Sequence, residues 1–522
     1  MSTAARACVS LLLDTWLAAW MGKAMSVLMP SILHYIQPHS PRKRRRLSHV
    51  VRPKYMKSMD DFTDEVRRLF ESPLQHDRLL DMSAKMQEEY REKLYKSDIS
   101  MLPSYQHTLP TGHEKGDYLA LDVGGSTLRI ALVRLGGKES DGLEVTRIRN
   151  FTIDEKIRQL QGEEFFDWMA DRISEMKAEY NFMEGASSTA LQMGMAWSFP
   201  IEQTSPSSGR LIKMGKGFRA HHGVEGEDIG ELIMRGCRKR KLNVEMCAIV
   251  NDSSATLLCQ AYRDSATRMS LILGTGMNAA VFLPVPAIGN DKFGARPDGW
   301  INAAERVVVN TELSMFGKYT LQATKWDDDL NAAHILPDFQ PLEYLITGRY
   351  LGEIVRLIML EAISSAGLFG GQLPGHLSES YTFETRTLAA FESDRSPNLS
   401  DACSTFTKAH PLRKPPTMRE LRFIREIGRI VSRRAAAYLA VSLHALWAVR
   451  TASEGIELGE ASHVTIACTG SMVEKYPDFR QMTQDYLDRL TVMSGSAAGA
   501  VTLDLAAEGS IFGAAIAVSC SA

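Results

Sequence analysis

Asp122-Val-Gly-Gly-Ser-Thr-Leu-Arg129 lies between the apolar runs Tyr118-Leu-Ala-Leu121 and Ile130-Ala-Leu-Val133. An acid closes one strand, two glycines turn the chain, hydroxyls follow, and a second strand begins. Glycines let backbone N–H groups approach a phosphate, the Ser126 and Thr127 hydroxyls add donors, and a strand-end carboxylate such as Asp122 can hold a hydrated Mg²⁺. Met269-Ser-Leu-Ile-Leu273, Gly274-Thr-Gly-Met-Asn278 and Ala279-Ala-Val-Phe-Leu283 repeat the design. Either segment alone reads as an ordinary glycine-rich hairpin. Together, with Asn251-Asp252 just ahead of the second, they suggest two similar half-domains facing one nucleotide.

With 522 residues, 44% of them hydrophobic, the chain can fill two or three domain cores. A net charge of −2 gives no general reason to expect a nucleic-acid partner. The cysteines (Cys8, Cys237, Cys247, Cys259, Cys403, Cys468 and Cys520) lack metal-ligand spacing, and their odd number argues against a disulfide framework. A reducing, intracellular compartment follows.

Strands alternate with helices, which predicts an α/β fold. A helical pattern runs from Met59 to Tyr95, and others cover Phe165 to Ile173, Asp228 to Lys239, Tyr350 to Ile363 and Leu421 to Trp447. Gln192 to Pro200 reads as a strand ending in a turn. Met246 to Val250 reads as a buried strand delivering Asn251 and Asp252. Residues 209–222 read as a loop and 374–416 as a poorly patterned connection.

Residues 1–58 form a leader of different character. Cys8 to Ile36 is apolar but broken by Asp14 and Lys23, short of the ~18 uncharged residues of a spanning helix. Pro41-Arg-Lys-Arg-Arg-Arg-Leu47 follows. A membrane-surface anchor, a nuclear-import patch and a disordered leader all fit. The first is preferred slightly, on an intracellular surface such as that of mitochondria. A cleaved secretory signal is disfavoured, because the basic cluster follows the apolar part.

From residue 60 to 520 the chain resembles the eukaryotic hexokinase family. The motifs come in family order: Leu121 to Arg129, Trp197-Ser-Phe-Pro-Ile-Glu-Gln203, Lys216-Gly-Phe218, Ile249-Val-Asn-Asp252, Gly274 to Asn278, Asn310-Thr-Glu312, Gly348-Arg-Tyr-Leu-Gly-Glu353, Val431-Ser-Arg-Arg-Ala-Ala436, Ile466-Ala-Cys-Thr-Gly-Ser471 and Glu508-Gly-Ser510. The resemblance implies two actin-like (ribonuclease H-like) domains around a sugar and ATP cleft. Residues 116–251 with 506–522 would form the small domain, and 59–115 with 252–505 the large one. The last helix, after Gly513, would cross back to the small domain.

The resemblance also implies transfer of the ATP γ-phosphate, with Mg²⁺, to the 6-hydroxyl of a D-hexose such as glucose, mannose or fructose. It assigns Asp252 as base and Ser198, Lys216, Asn251, Asn278, Glu312 and Glu353 as sugar contacts. Around ATP it assigns Asp122, which holds Mg²⁺ through water, with Gly124, Gly125, Ser126, Thr127, Arg129, Gly274, Thr275, Gly470 and Ser471. Without the resemblance, Asp252 reads as the cap of the helix after it.

Several positions depart from the family pattern. Gly215 stands where the family has Thr before the lysine. Thr127 replaces Asn, Thr469 replaces Asp, the last motif lacks its Asp, and Ile511 replaces a Gly. An Ile there would narrow the domain junction. The sugar side thus looks complete and the nucleotide side eroded. A slow or silent sugar-binding regulator is therefore the alternative expectation.

Overall fold

The computed structural model describes residues 57–521 apart from 139–141, 185–187, 213, 215 and 216. The leader, and with it the targeting expectation, lies outside the described residues. So does Lys216, together with Gly215.

Two sheets share one strand plan. In the first, Lys115–Val123 pairs antiparallel with Thr127–Gly137, which pairs antiparallel with Gly142–Thr152. On its other side Lys115–Val123 pairs parallel with Leu191–Trp197, and that strand with Val244–Val250. The second sheet repeats this: Thr267–Leu273, Met277–Pro284 and Arg306–Asn310 are antiparallel neighbours, while Val464–Thr469 and Val501–Leu505 add on in parallel. Leu102–Pro103 extends its edge. The duplicated hairpins of the sequence are thus the first two strands of duplicated sheets.

Each sheet has its own core. Leu119, Leu121, Phe165, Met169, Met193 and Ile233 belong to the first. Met269, Leu271, Val309 and the apolar face of the helix Met418–Ser453 belong to the second. That helix begins in a capping box in which Thr417 and Glu420 satisfy each other's backbone N–H groups. Its Arg434 is fully buried and makes paired hydrogen bonds of 2.5 and 2.7 Å to Asp327, which anchors the neighbouring helix Lys325–Ala333.

Between the sheets lie two packed helices, Asp252–Arg263 and Gly509–Ser521. Ala255, Leu258, Cys259 and Tyr262 of the first pack with Ile511, Phe512 and Ala515 of the second and with Ala120 and Ala248 of the first sheet. Leu257 and Ala261, on the other face, meet Ala280, Phe282 and Val308 of the second sheet. The chain's last helix does return to the first sheet, and Asp252–Arg263 serves both.

Three expectations change. The loop read over 209–222 begins in the strand Ser208–Leu211, which pairs antiparallel with Ile201–Ser205. The segment Met59 to Tyr95 is two helices, Met59–Glu71 and His76–Lys96, because Pro73 in the 3₁₀ turn Ser72–Leu74 cannot continue the hydrogen-bond ladder. The connection 374–416 holds the helices Thr385–Ser393 and Ser400–Ala409. Leu388, Phe391 and Phe406 are buried in the second core, and packing overrides a weak local pattern.

Glycine is required where these layers touch. A Cβ on Gly513 would lie 1.9 Å from the Ala255 carbonyl oxygen, and one on Gly194 would lie 1.9 Å from that of Ala514. Backbone atoms cannot yield as a side chain can. Gly513→Ala is expected to destabilise the protein by about 3 kcal/mol or more, the upper end of overpacking costs. Urea unfolding of the variant checks this, and an unchanged midpoint would contradict the close approach.

Candidate functional site

The strand Leu191–Trp197 ends beside the first glycine turn, where Ser198 N–H donates to the Val123 carbonyl at 3.2 Å. Ser198 Oγ donates to Asp252 Oδ2 at 3.0 Å. The parallel strand Val244–Val250 ends at Asn251, whose Oδ1 accepts from the N–H of Ser253 at 2.9 Å and from its hydroxyl at 2.6 Å. Asn251 is therefore the helix cap, and Asp252 is the first helical residue. Asp252 Oδ1 also accepts from Ser253 N–H, at 2.8 Å. The positive end of the helix dipole favours the ionised carboxylate here.

A second group comes from the other sheet. Asn278 Nδ2 donates to Asn310 Oδ1 at 2.9 Å, and Asn310 Nδ2 donates to Glu312 Oε1 at 2.7 Å. Glu312 sits in the left-handed region at φ 51°, a conformation costing about 1–3 kcal/mol for a residue with a Cβ. Burial pushes its carboxyl above the usual range, opposed by the Asn310 hydrogen bond and reinforced by the charge on Asp252. The Asp252 and Glu312 carboxylates thus lie in one field, although they come from different sheets.

Asn310 lay within a quoted motif and was given no role there. Its position two residues before Glu312, at a strand end, is the signal that could have found it. Glu353 behaves differently from the other acids. It is buried, takes Arg356 Nε at 2.7 Å and Nη2 at 2.6 Å, and also accepts from Tyr381 N–H at 2.6 Å. No hydrogen bond among the described residues joins it to Ser198, Asp252, Asn278 or Glu312. Lys216 cannot be placed, but Phe218 after it is buried against Phe199, with ring centroids 5.0 Å apart.

The phosphate-type turns close as their sequence predicts. Gly124 N–H donates to the Thr127 carbonyl at 3.1 Å, and Gly274 N–H to the Gly276 carbonyl at 2.9 Å. Gly470, at φ 113°, packs so tightly that a Cβ would lie 2.4 Å from the Leu273 carbonyl oxygen. A Cβ on Gly274 would in turn stand 3.5 Å from Ser471 Oγ. Two motifs far apart in the chain, one with Gly274 and Thr275 and one with Gly470 and Ser471, therefore form one surface.

Arg129 donates to Asp122 Oδ2 through Nε at 2.8 Å and Nη2 at 2.5 Å, and to Glu508 through Nη1 at 2.6 Å. Burial raises the Asp122 carboxyl, while Arg129 opposes the shift. Arg158 donates to the Gly125 carbonyl at 3.1 Å, a support that nothing in the sequence announced.

Glu474 escaped sequence reasoning, and Glu508, quoted in the last motif, was given no role there although it holds Arg129. Glu474 accepts from Thr469 Oγ1 at 2.9 Å and Gly470 N–H at 2.7 Å. Ile511 is fully buried among the helices of the junction, so its bulk fills the apolar layer there. Among the described residues the turns, hydroxyls and glycines form a donor set suited to phosphates. Asp122 keeps Oδ1 outside its Arg129 bonds, in keeping with a carboxylate that reaches a metal through water.

Duplicated five-strand plans, a carboxylate at the start of the shared helix and glycine turns at corresponding places in the two sheets define an α/β protein of the actin-like ATPase fold. Two family models, both described as Hexokinase, match residues 64–262 and 268–520. A hexokinase of Schwanniomyces occidentalis is 32% identical over 386 residues, 74% of this chain and 77% of that protein. Hexokinase-7 of Oryza sativa subsp. japonica is 31% identical, covering 80% of this chain and 88% of that one. The Schistosoma mansoni hexokinase solved in complex with glucose superposes with a TM-score of 0.72 at 29% identity, over 89% of this chain and all of that one. The chain belongs to the hexokinase family.

The raised Glu312 carboxyl has a thermodynamic consequence. In the unfolded chain this group ionises at lower pH. Its contribution to stability is therefore full in acid and is lost as pH rises through the folded-state value. Glu312→Gln removes the buried charge. Its melting temperature relative to the parent chain is expected to rise from mildly acidic to mildly alkaline buffer. A difference that is flat with pH would contradict the burial of an ionising Glu312.

Proposed function

We propose that this chain transfers the γ-phosphoryl group of ATP to the 6-hydroxyl of a D-hexose, with glucose as the first candidate and mannose and fructose as further ones. The observation that carries the reading is Asp252. It starts the helix shared by both sheets, bonds to Ser198 of the first and shares a field with Glu312 of the second. A hexose fits the neighbouring groups, since carboxylates accept from hydroxyls and amides and lysine donate to them.

Magnesium-bound ATP supplies an electrophilic phosphorus and a leaving group whose charge is partly neutralised. The chain's own residues do the rest. Asp252 accepts the proton of the 6-hydroxyl as that oxygen attacks. Ser198 holds the Oδ2 oxygen of Asp252 in place. Asn278, Asn310 and Glu312 orient the sugar, with Lys216, Asn251 and Glu353 as further contacts. Gly125, Ser126, Thr127, Thr275 and Ser471 hold phosphates through backbone N–H groups and hydroxyls, and Gly124, Gly274 and Gly470 close the turns that present them. Asp122 would hold Mg²⁺ through water. Arg356 and the Tyr381 N–H hold the Glu353 carboxylate in place.

A silent sugar-binding regulator is not favoured. Its main support was an intact sugar side beside an eroded nucleotide side, and Glu474 puts a carboxylate beside Thr469 while Arg129 keeps its bonds to Asp122 and Glu508.

A coupled assay of glucose phosphorylation with Mg²⁺ and ATP tests the proposal. Glucose should raise the melting temperature, as any ligand of the native state must. Asp252→Ala should lower turnover by ~10²-fold or more, as expected for a lost positioned base, while melting close to the parent. Equal turnover in the variant would exclude Asp252 as the base.

Thr469→Asp gives a sharper check on the nucleotide side. The new acid would stand next to Glu474, and like charges at that distance repel. It is expected to raise the KM for ATP at saturating glucose rather than lower it. A lowered KM would mean that Glu474 does not stand in for the missing acid.

A further inference from the structure

The loop after Lys216 carries a group of side chains that the phosphoryl-transfer reading does not use. From Arg219 to Glu227, ahead of the helix Ile229–Lys239, the chain makes successive tight turns. His222 N–H donates to the Arg219 carbonyl at 3.0 Å, Val224 N–H to that of His221 at 3.2 Å and Glu227 N–H to that of Val224 at 3.1 Å, while Gly226 N–H ties the segment to the Leu211 carbonyl at 2.9 Å. These turns bring His221, His222 and Glu225 together, each offering one ligand atom within 4.8 Å of the others. The two imidazole rings lie 4.3 Å apart between centroids. Glu225 Oε2 accepts from Gly223 N–H at 3.0 Å, while Oε1 lies 3.9 Å from His222 Nδ1. His221 is buried, and the other two are exposed, so a small cation can enter from solvent.

We propose that His221, His222 and Glu225 form a binding site for a divalent cation of the zinc class. Two imidazoles and a carboxylate are ligands that Zn²⁺ accepts, whereas Mg²⁺ takes oxygen donors and keeps its waters. Ligand atoms on tetrahedral Zn²⁺ stand ~3.4 Å apart. Rotation of the exposed His222 and Glu225 side chains about the anchored His221 closes the set to that spacing. Water takes the fourth position, as in other three-ligand sites. The bound ion would stiffen the turn that follows Lys216 and Phe218. An effect on sugar affinity rests on the reading of Lys216 as a sugar contact; the metal site itself does not.

The test uses the full chain, stripped with a chelator, desalted and titrated with ZnCl₂ against a chromophoric competitor, without sugar or nucleotide. A single saturable event is expected. The double variant His222→Ala/Glu225→Gln should weaken it by at least ~10-fold, since losing even an outer-shell partner costs that much. The exposed positions are chosen because replacing buried His221 would disturb packing, and the variant's melting curve should match the parent's. Co²⁺ in place of Zn²⁺ should give weak visible bands without thiolate charge transfer. Absence of a saturable event, equal affinity in the double variant, or a thiolate spectrum would each overturn the site. The last two would place any zinc elsewhere, on the cysteines in the case of the thiolate spectrum.

Discussion

Two backbones pressed together without side chains between them hold this molecule in register. Gly513 lies against the Ala255 carbonyl, and Gly194 lies against that of Ala514. The helix Gly509–Ser521 can therefore sit flush on the sheet strand Leu191–Trp197 and on the helix Asp252–Arg263 at once. Tight packing transmits position, because an interior at crystal-like density does not absorb a shift smoothly. Moving the last helix would move the start of Asp252–Arg263, and with it the carboxylate that the chemistry needs. The end of the chain thus sets the geometry of a residue near its middle.

The same helix start divides labour between adjacent residues. Asn251 caps the helix through the Ser253 N–H, which Asp252 meets only with Oδ1, and this leaves Oδ2 of Asp252 to Ser198. Across the cleft the cost is more visible. Glu312 combines a left-handed backbone with a buried carboxyl near another negative charge. Strain of about 1–3 kcal/mol at one residue is tolerable in a protein whose core spans a long buried helix, but it is a large part of a net stability of about 5–15 kcal/mol. Such a residue is held by its surroundings. Asn278 and Asn310 supply that hold through a chain of amide hydrogen bonds ending on Glu312.

Much of this was legible in the sequence, for a local reason. Glycine turns between apolar strands announce themselves wherever they occur, and both of these closed as read. Their duplication correctly anticipated duplicated sheets. What stayed hidden depends on partners distant in sequence. Thr385–Ser393 and Ser400–Ala409 are too short and too rich in hydroxyls to show a clear period, and they gain their helicity from burial against the second core. The pairing of Glu353 with Arg356 at i and i+3 could have been read from helical spacing. It shows a family-assigned sugar contact holding its own scaffold. Arg158 on Gly125 had no local signal at all.

The nucleotide side shows why a motif can look damaged while its chemistry is kept. A motif compares one position at a time, but a phosphate or ribose meets whatever charge lies within a few ångströms, from any part of the chain. Thr469 lacks the acid of the family pattern, yet its hydroxyl rests on Glu474 in the next turn. The final motif lacks its Asp, and the Glu508 that it keeps reaches Arg129, which also holds Asp122. Arg129 holds both carboxylates, and Arg158 on the Gly125 carbonyl brings a second guanidinium to the same turn, so charges of both signs stand beside the first glycine turn. A carboxylate suits a hydrated divalent cation, and guanidinium groups suit phosphate oxygens. The turn is therefore matched to a nucleotide that arrives with its metal.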